Sequence, residues 1–246
     1  MKNSLILGLI ITFTITTIGC KKSNSDRSSI VVNDSIPDND AAADSYRMKP
    51  SNFIPDDCAL YEQITGDLNK DGLEDYVLII KGTDKEKILI EENSINLNRN
   101  RRGIIILFKK EEGYELILRN LDCFSSENEE GSAYFDPELT VSIKNGNLEI
   151  KFGHGKHGFW NYTFQHKNDD FEMIGYFMSA SNGTTIKSET TINYLTQKKL
   201  IKTNTNNNKK AGFGEEIFKE KEENIVIKKI IKLSDIKDFD EFSAPE

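Results

Sequence analysis

The chain has 246 residues, 37% of them hydrophobic, with 14 Phe, 8 Tyr, three Cys and a formal net charge of −8. Those aromatics are enough for a core, which excludes a wholly disordered chain, and three cysteines are too few for a disulfide-stapled miniature fold. The pI near 5.1 argues against a nucleic-acid partner, because binding phosphates needs a clustered positive surface.

Residues 2–20 read KNSLILGLIITFTITTIGC: one Lys, an apolar run from Leu5 to Ile18, then Gly19 directly before Cys20. The run is shorter than the roughly 20 residues that span a bilayer and is interrupted by threonines, so it reads as a signal peptide. Thr17-Ile18-Gly19-Cys20 resembles the lipobox of bacterial lipoproteins. That resemblance implies that the Cys20 thiol takes a diacylglycerol before residues 1–19 are cut away. The expected location is the cell envelope, lipid-anchored to a bacterial membrane, outer rather than inner. Each buried acyl CH₂ contributes about 0.8 kcal/mol, so two or three chains make a stable anchor.

Residues 21–50 are rich in Ser, Asn, Asp and Ala, with five basic and five acidic residues that cancel, and they keep no period of 2 or 3.6. With Cys20 they read as a flexible tether (20–50) reaching about 30 Å. The folded domain is then expected over 51–246. Cleavage removes only Lys2 from the charge count, so −8 becomes −9, and all of that acidity falls in the folded part.

The motif that carries chemistry lies at 66–76. GDLNKDGLEDY places Asp67, Asn69, Asp71 and Asp75 at short, regular steps, with Gly72 free to turn sharply. Alternating oxygen side chains can aim inward from a tight loop, and the Leu73 carbonyl can join them as ligands for a hard cation. An EF-hand would need a Glu at its twelfth position, where Leu78 stands. DLNKDGLEDYVLI instead resembles the calcium loop of FG-GAP or VCBS-type repeats, the DxNxDGxxD element of integrin-like β-propellers. That resemblance implies a structural Ca²⁺ held by Asp67, Asn69, Asp71, the Leu73 carbonyl and Asp75. The motif occurs once, so a complete multi-blade propeller is not expected.

The remainder reads as antiparallel β. The unbroken Ile104-Ile105-Ile106-Leu107-Phe108 predicts a strand buried on both faces, turning near Lys109–Gly113 into YELILRN. LTVSIKNGNLEIKF, 139–152, predicts a hairpin on Asn145-Gly146, with Ile143 opposite Leu148, Val141 opposite Ile150 and Leu139 opposite Phe152. Lys167–Asp170 and Thr196–Lys198 predict further turns, 223–233 a late strand, and 234–242 a short helical turn capped by Ser234. The expected fold is a single all-β domain, a mostly antiparallel meander of nine to eleven strands, sandwich or partial-propeller-like.

Weaker features frame the alternatives. His154, His157 and His166 allow an envelope hydrolase, if they converge with nearby acids. Trp160, Tyr162, Phe164 and His166 share one strand face, read as core before sugar-stacking surface. Cys58 and Cys123 remain once Cys20 is lipidated, and a bond between them would close a loop of about 65 residues. Arg99, Arg101 and Arg102 read as a solvated basic loop. No nucleophile elbow, P-loop, dinucleotide fingerprint or zincin helix is present, so no reaction is assigned. The leading expectation is an envelope lipoprotein with a calcium-stabilised β module that binds a protein or glycan or serves structurally. An inhibitor or immunity-type lipoprotein that captures another protein is the third reading.

Overall fold

Asn145 and Gly146 both take positive φ, 53° and 72°, and the turn they make is the one whose twist matches a two-residue hairpin. β8 (Glu138–Lys144) and β9 (Asn147–Gly153) pair across it in the expected register, Ile143↔Leu148, Val141↔Ile150 and Leu139↔Phe152. In this computed structural model the described residues are 46–90, 96–127, 137–206 and 216–245, all within the compact unit Asp38–Glu246. The segments expected as signal peptide and lipidated Cys20, and most of the expected tether, lie outside them.

From β8 the chain continues as a meander: β10 (Gly158–Lys167), β11 (Asp170–Asn182), β12 (Thr185–Asn193), β13 (Lys198–Asn204) and β14 (Phe218–Asn224). Each strand pairs with the next, giving one seven-stranded antiparallel sheet in chain order. The upstream strands are β1 (Tyr46–Arg47), β2 (Cys58–Gly66), β3 (Asp75–Gly82), β6 (Arg102–Lys110) and β7 (Gly113–Phe124), which form a five-stranded sheet ordered β1-β7-β6-β3-β2. Between β3 and β6, β4 (Ile88–Ile90) and β5 (Asn96–Asn98) make a small ribbon. The described chain is thus all-β and antiparallel, and the two large sheets are not closed into a barrel. Of its fourteen strands, β1, β4 and β5 have two or three residues, which leaves eleven of ordinary length.

The core explains the composition of β6. Ile104, Ile106 and Phe108 pack into one cluster with Leu148, Ile150, Phe152 and Phe164 of the other sheet, while Ile105 and Leu107 face a second cluster around Phe53, Leu78 and Ile80. Because β6 is central in its sheet, both faces are covered and the apolar run has no wet side. Phe53, from the 3₁₀ turn Pro50–Phe53, is 1% exposed and helps cover the outer face. On β10, Tyr162 and Phe164 are buried and Trp160 stacks on Phe152 with ring centroids 5.6 Å apart. That aromatic row is core, as expected.

Three expectations need correction. Strand pairing begins at Tyr46, which bonds opposite Glu115, inside the segment assigned to the tether. The late strand is Phe218–Asn224, pairing with β13; residues 225–231 leave the sheet, and only Lys232 bridges back, to Glu172. The shift follows from alternation: Ile225 is buried and Val226 exposed, whereas charged residues suffice for an edge strand. Finally, the 3₁₀ turn is Leu233–Asp235 with Lys232 at its cap position, and Ser234 Oγ instead donates to Asp170 Oδ2 at 2.5 Å.

One end of the sandwich gathers its turns. The β8–β9 turn, the β10–β11 turn at Asn168–Asp169 and the β12–β13 turn at 194–197 share an end of the seven-stranded sheet. The β2–β3 loop and the β6–β7 turn reach the same end, because Gly66 packs on Ile143 and the Lys109 N–H bonds to Asp75.

Candidate metal centre

The loop between β2 and β3 is organised by its own oxygens. Asp67 Oδ1 accepts from the Lys70 N–H at 2.6 Å and Oδ2 from the Gly72 N–H at 3.0 Å. Asn69 Oδ1 accepts from the Asp71 N–H at 3.0 Å, and Asp71 Oδ1 from the Leu73 N–H at 2.8 Å. Short Asp and Asn side chains favour such bonds to backbone a few residues on, which is why this composition makes a tight loop. Two residues turn through the left-handed region, Lys70 (φ 65°) and Gly72 (φ 86°). A Cβ on Gly72 would meet nothing within 4 Å, so conformation, not space, calls for glycine there.

Two residues inside the motif point inward. Leu68 is 2% exposed and belongs to the core that joins the two sheets. Asp75 is fully buried; its Oδ2 accepts from the Leu68 N–H at 2.8 Å and its Oδ1 from the Lys109 N–H at 3.0 Å. Burial pushes the Asp75 carboxyl above its usual range, against the pull of those N–H groups, and nearby Asp71 adds to the rise. Asp75 therefore ties the loop to the end of β6. The loop also rests on the facing sheet: a Cβ on Gly146 would lie 2.8 Å from Lys70 Cε and 3.4 Å from the Asp67 carbonyl oxygen.

The donor set suits a hard cation. A carboxylate offers about four lone-pair sites, so Asp67 and Asp71 keep acceptor capacity beyond these bonds, and both lie at or near the surface with Asn69. Ca²⁺ takes only oxygen ligands, and carboxylate, amide and carbonyl oxygens are what this loop presents. Asp75 differs from the other three in being fully buried, although both its oxygens, like those of Asp67, hold backbone N–H groups. Among the described residues, no three His, Cys, Asp or Glu side chains converge as a metal-binding group. Lys110 stands nearby, its ammonium held above the usual range chiefly by its bond to Glu115 at 2.9 Å.

The other candidate groups are dispersed. His154 and His157 sit together, ring centroids 5.1 Å apart, at the start of β10. His166 is nine residues further along, roughly 30 Å of strand, edge-on to Phe108 at 4.7 Å. The three histidines thus share no floor or pocket, and the hydrolase reading loses its constellation. Cys58 and Cys123 are free thiols in this structure. They lie on β2 and β7, three inter-strand spacings apart or roughly 14 Å, and pack against opposite faces of the five-stranded sheet. A disulfide needs Cα atoms within about 7 Å, so the bridge the sequence allowed is not formed in this structure. Burial raises both thiols above their ordinary range, and for Cys58 the adjacent Asp57 adds to the effect.

Arg101 and Arg102 are anchors, not a solvated loop. Arg102 is 3% exposed and donates to the Ser125 carbonyl at 2.8 Å, while Arg101 pairs with Asp238 at 2.8 Å and holds the C-terminal segment. A polar cleft of about 750 Å³ beside Arg101 contains Asp57, Cys58, Asp84 and Asp122. Asp84 there caps a 3₁₀ turn through the Glu86 N–H at 2.9 Å, and the raised Cys58 thiol is a weak nucleophile.

Sequence reasoning missed the groups that seat the loop, namely Leu68, the Lys109 N–H and Gly146. Apolar residues inside an acidic motif were the available signal, and of its two leucines the structure makes Leu68 the plug and leaves Leu73 exposed. In comparisons with known proteins, the chain matches no family model, no curated protein and no solved structure. Among the described residues no helix is long and apolar enough to cross a membrane.

Proposed function

We propose that this chain is a cell-envelope lipoprotein, anchored through lipid on Cys20, whose β sandwich is a binding or structural module stabilised by Ca²⁺ at the Asp67–Asp75 loop. The observation that carries the calcium reading is the division of labour in the loop. Asp75 is buried and fastens it to β6, whereas Asp67, Asn69 and Asp71 keep oxygens near the surface. Asp67, Asn69, Asp71 and the Leu73 carbonyl would hold the ion, and Asp75 would contribute negative charge from beneath. The ion would supply charge neutralisation for Asp67, Asp71 and Asp75, three of the four carboxylates in residues 67–75. Its role is structural, because the loop joins turns from both sheets.

The membrane reading rests on Leu5–Cys20, as the sequence of a signal and lipobox. The same acidic surface that attracts a divalent ion suits a protein partner with basic residues, and it disfavours nucleic acid.

Thermal melting with Ca²⁺ and with EDTA tests the metal. A site that binds the native state raises the midpoint by mass action, by about 2.7 kcal/mol of stability at one hundred times Kd. Asp71→Asn abolishes the calcium-dependent rise while leaving the EDTA midpoint nearly unchanged. Superimposable curves for the unsubstituted protein, with no calcium found by elemental analysis, reject the site.

A further inference from the structure

The end of β6 brings a cation of its own to the Asp67–Asp75 loop. β6 enters the β6–β7 turn through Lys109 and Lys110, and the Lys109 N–H holds Asp75 at 3.0 Å. Alternation sorts the two lysines. Val77 and Phe108 face the core shared by the two sheets, so Asp75 and Lys110, each two residues along, lie on that same side, as does Glu115, which stands opposite Phe108. Lys109 takes the other side, its ammonium 4.5 Å from the centre of the Tyr114 ring. Lys70, inside the loop, packs its stem against Gly146 of the facing sheet.

Lys110 is therefore placed among carboxylates. It pairs with Glu115 at 2.9 Å, with both side chains exposed to more than two-fifths of their area. Its ammonium is held above the usual range chiefly by Glu115, and the charges of Asp71 and Asp75 add to the rise. Those two acids belong to the loop, so Lys110 sits in the field that a cation in the loop would feel. The turn adds Glu111 and Glu112, both exposed.

Calcium sites tune their affinity through ligand charge and rigidity. A fixed ammonium beside a divalent ion subtracts from the charge that the ligands supply, and in exposed surroundings this repulsion acts over about one Debye length, roughly 10 Å at 0.1 M salt. Without a divalent ion, the same ammonium offsets part of the repulsion among Asp67, Asp71 and Asp75. We infer that Lys110 is a built-in competitor of Ca²⁺ at the Asp67–Asp75 loop: its charge steadies the metal-free loop and weakens the grip on the ion. Resting on the calcium reading of that loop, this role assigns part of its affinity to a residue outside the motif, on another strand.

Isothermal titration of the full chain with calcium chloride tests it. Lys110→Gln is expected to tighten the dissociation constant about threefold at about 20 mM salt, and the gain shrinks at about 500 mM. Lys110→Arg keeps the charge and binds as the unsubstituted chain does. Glu115→Gln breaks the same ion pair yet is expected to weaken binding, because it leaves the lysine charge uncompensated. Tighter binding in both Lys110→Gln and Glu115→Gln would show that the pair acts by stiffening the turn, and overturns the inference. Equal constants for Lys110→Gln and the unsubstituted chain overturn it too, while leaving the calcium reading intact. Lys156→Gln, in the turn at the other end of β10, is expected to change nothing, and a gain there equal to that of Lys110→Gln overturns the assignment to Lys110. Absence of calcium uptake in every variant removes the calcium reading and this role with it.

Discussion

Two turns meet at one end of this sandwich, and they are made in opposite ways. The Asn145–Gly146 turn needs two residues: both accept positive φ, and the alternating strands on either side set the register. The Asp67–Asp75 loop needs a backbone N–H from β6, a leucine in the core and a glycine on the other sheet. The first is specified within a dozen residues. The second is assembled from three regions of the chain, so its stability is that of the tertiary structure and its local sequence states only part of its purpose.

That contrast is sharpened most by removing the plug. Leu68→Ala is expected to destabilise the protein by about 2–5 kcal/mol, the range for a buried leucine replaced in a packed core, as read from the denaturation midpoint in urea. An effect near zero would mean that the loop is an appendage instead of part of the core.

The next largest effect belongs to the latch. Asp75→Asn keeps one acceptor oxygen where two are used, so the Leu68 or Lys109 N–H loses its partner, at a cost of about 1–3 kcal/mol. The pH dependence of the same group has a definite sign. Burial raises the folded carboxyl above its ordinary 3.8, so the native state holds this proton more tightly than the unfolded chain. Its contribution is fully present below about pH 3.8 and is lost as pH rises through the folded value. Between those values the melting midpoint of the metal-free protein should fall more steeply with pH than that of Asp75→Asn. Parallel profiles would show that Asp75 does not titrate there.

The smallest effect tests whether the two turns are coupled. Gly146→Ala forces a Cβ into positive φ and to 2.8 Å from Lys70 Cε, and costs about 1 kcal/mol or more. In a Lys70→Ala background the clash is relieved while the strain at φ remains, so the double substitution should cost less than the sum. Additive values would separate the loop from the hairpin.

Much of the fold was legible in local pattern. The β8–β9 register, the β10–β11 turn and the two-faced burial of Ile104–Phe108 all follow from alternation and turn residues. The late strand was misplaced because IVIKKII has the stronger β composition, yet the pairing fell to FKEKEEN beside it. Composition there competed with tertiary position, and an edge strand can be charged while the apolar stretch packs outside the ladder. Arg101 and Arg102 depart from expectation for a related reason: three arginines within four residues do not reveal that Arg102 finds the Ser125 carbonyl and Arg101 finds Asp238, while Arg99 is exposed.

By itself, the sequence determined the elements whose information is local: the period-2 strands, the turn at Asn145–Gly146 and the oxygen-rich loop at 67–75. Only the tertiary structure decided which residues each element would meet. It placed Cys58 and Cys123 on opposite faces of one sheet, separated His166 from His154 and His157 by the length of β10, and buried Asp75 beneath the loop on two backbone N–H groups. The physical reason is range. Alternation and φ preferences act over a few residues, whereas burial, distance and hydrogen-bond partnership depend on how far-separated strands come to lie side by side.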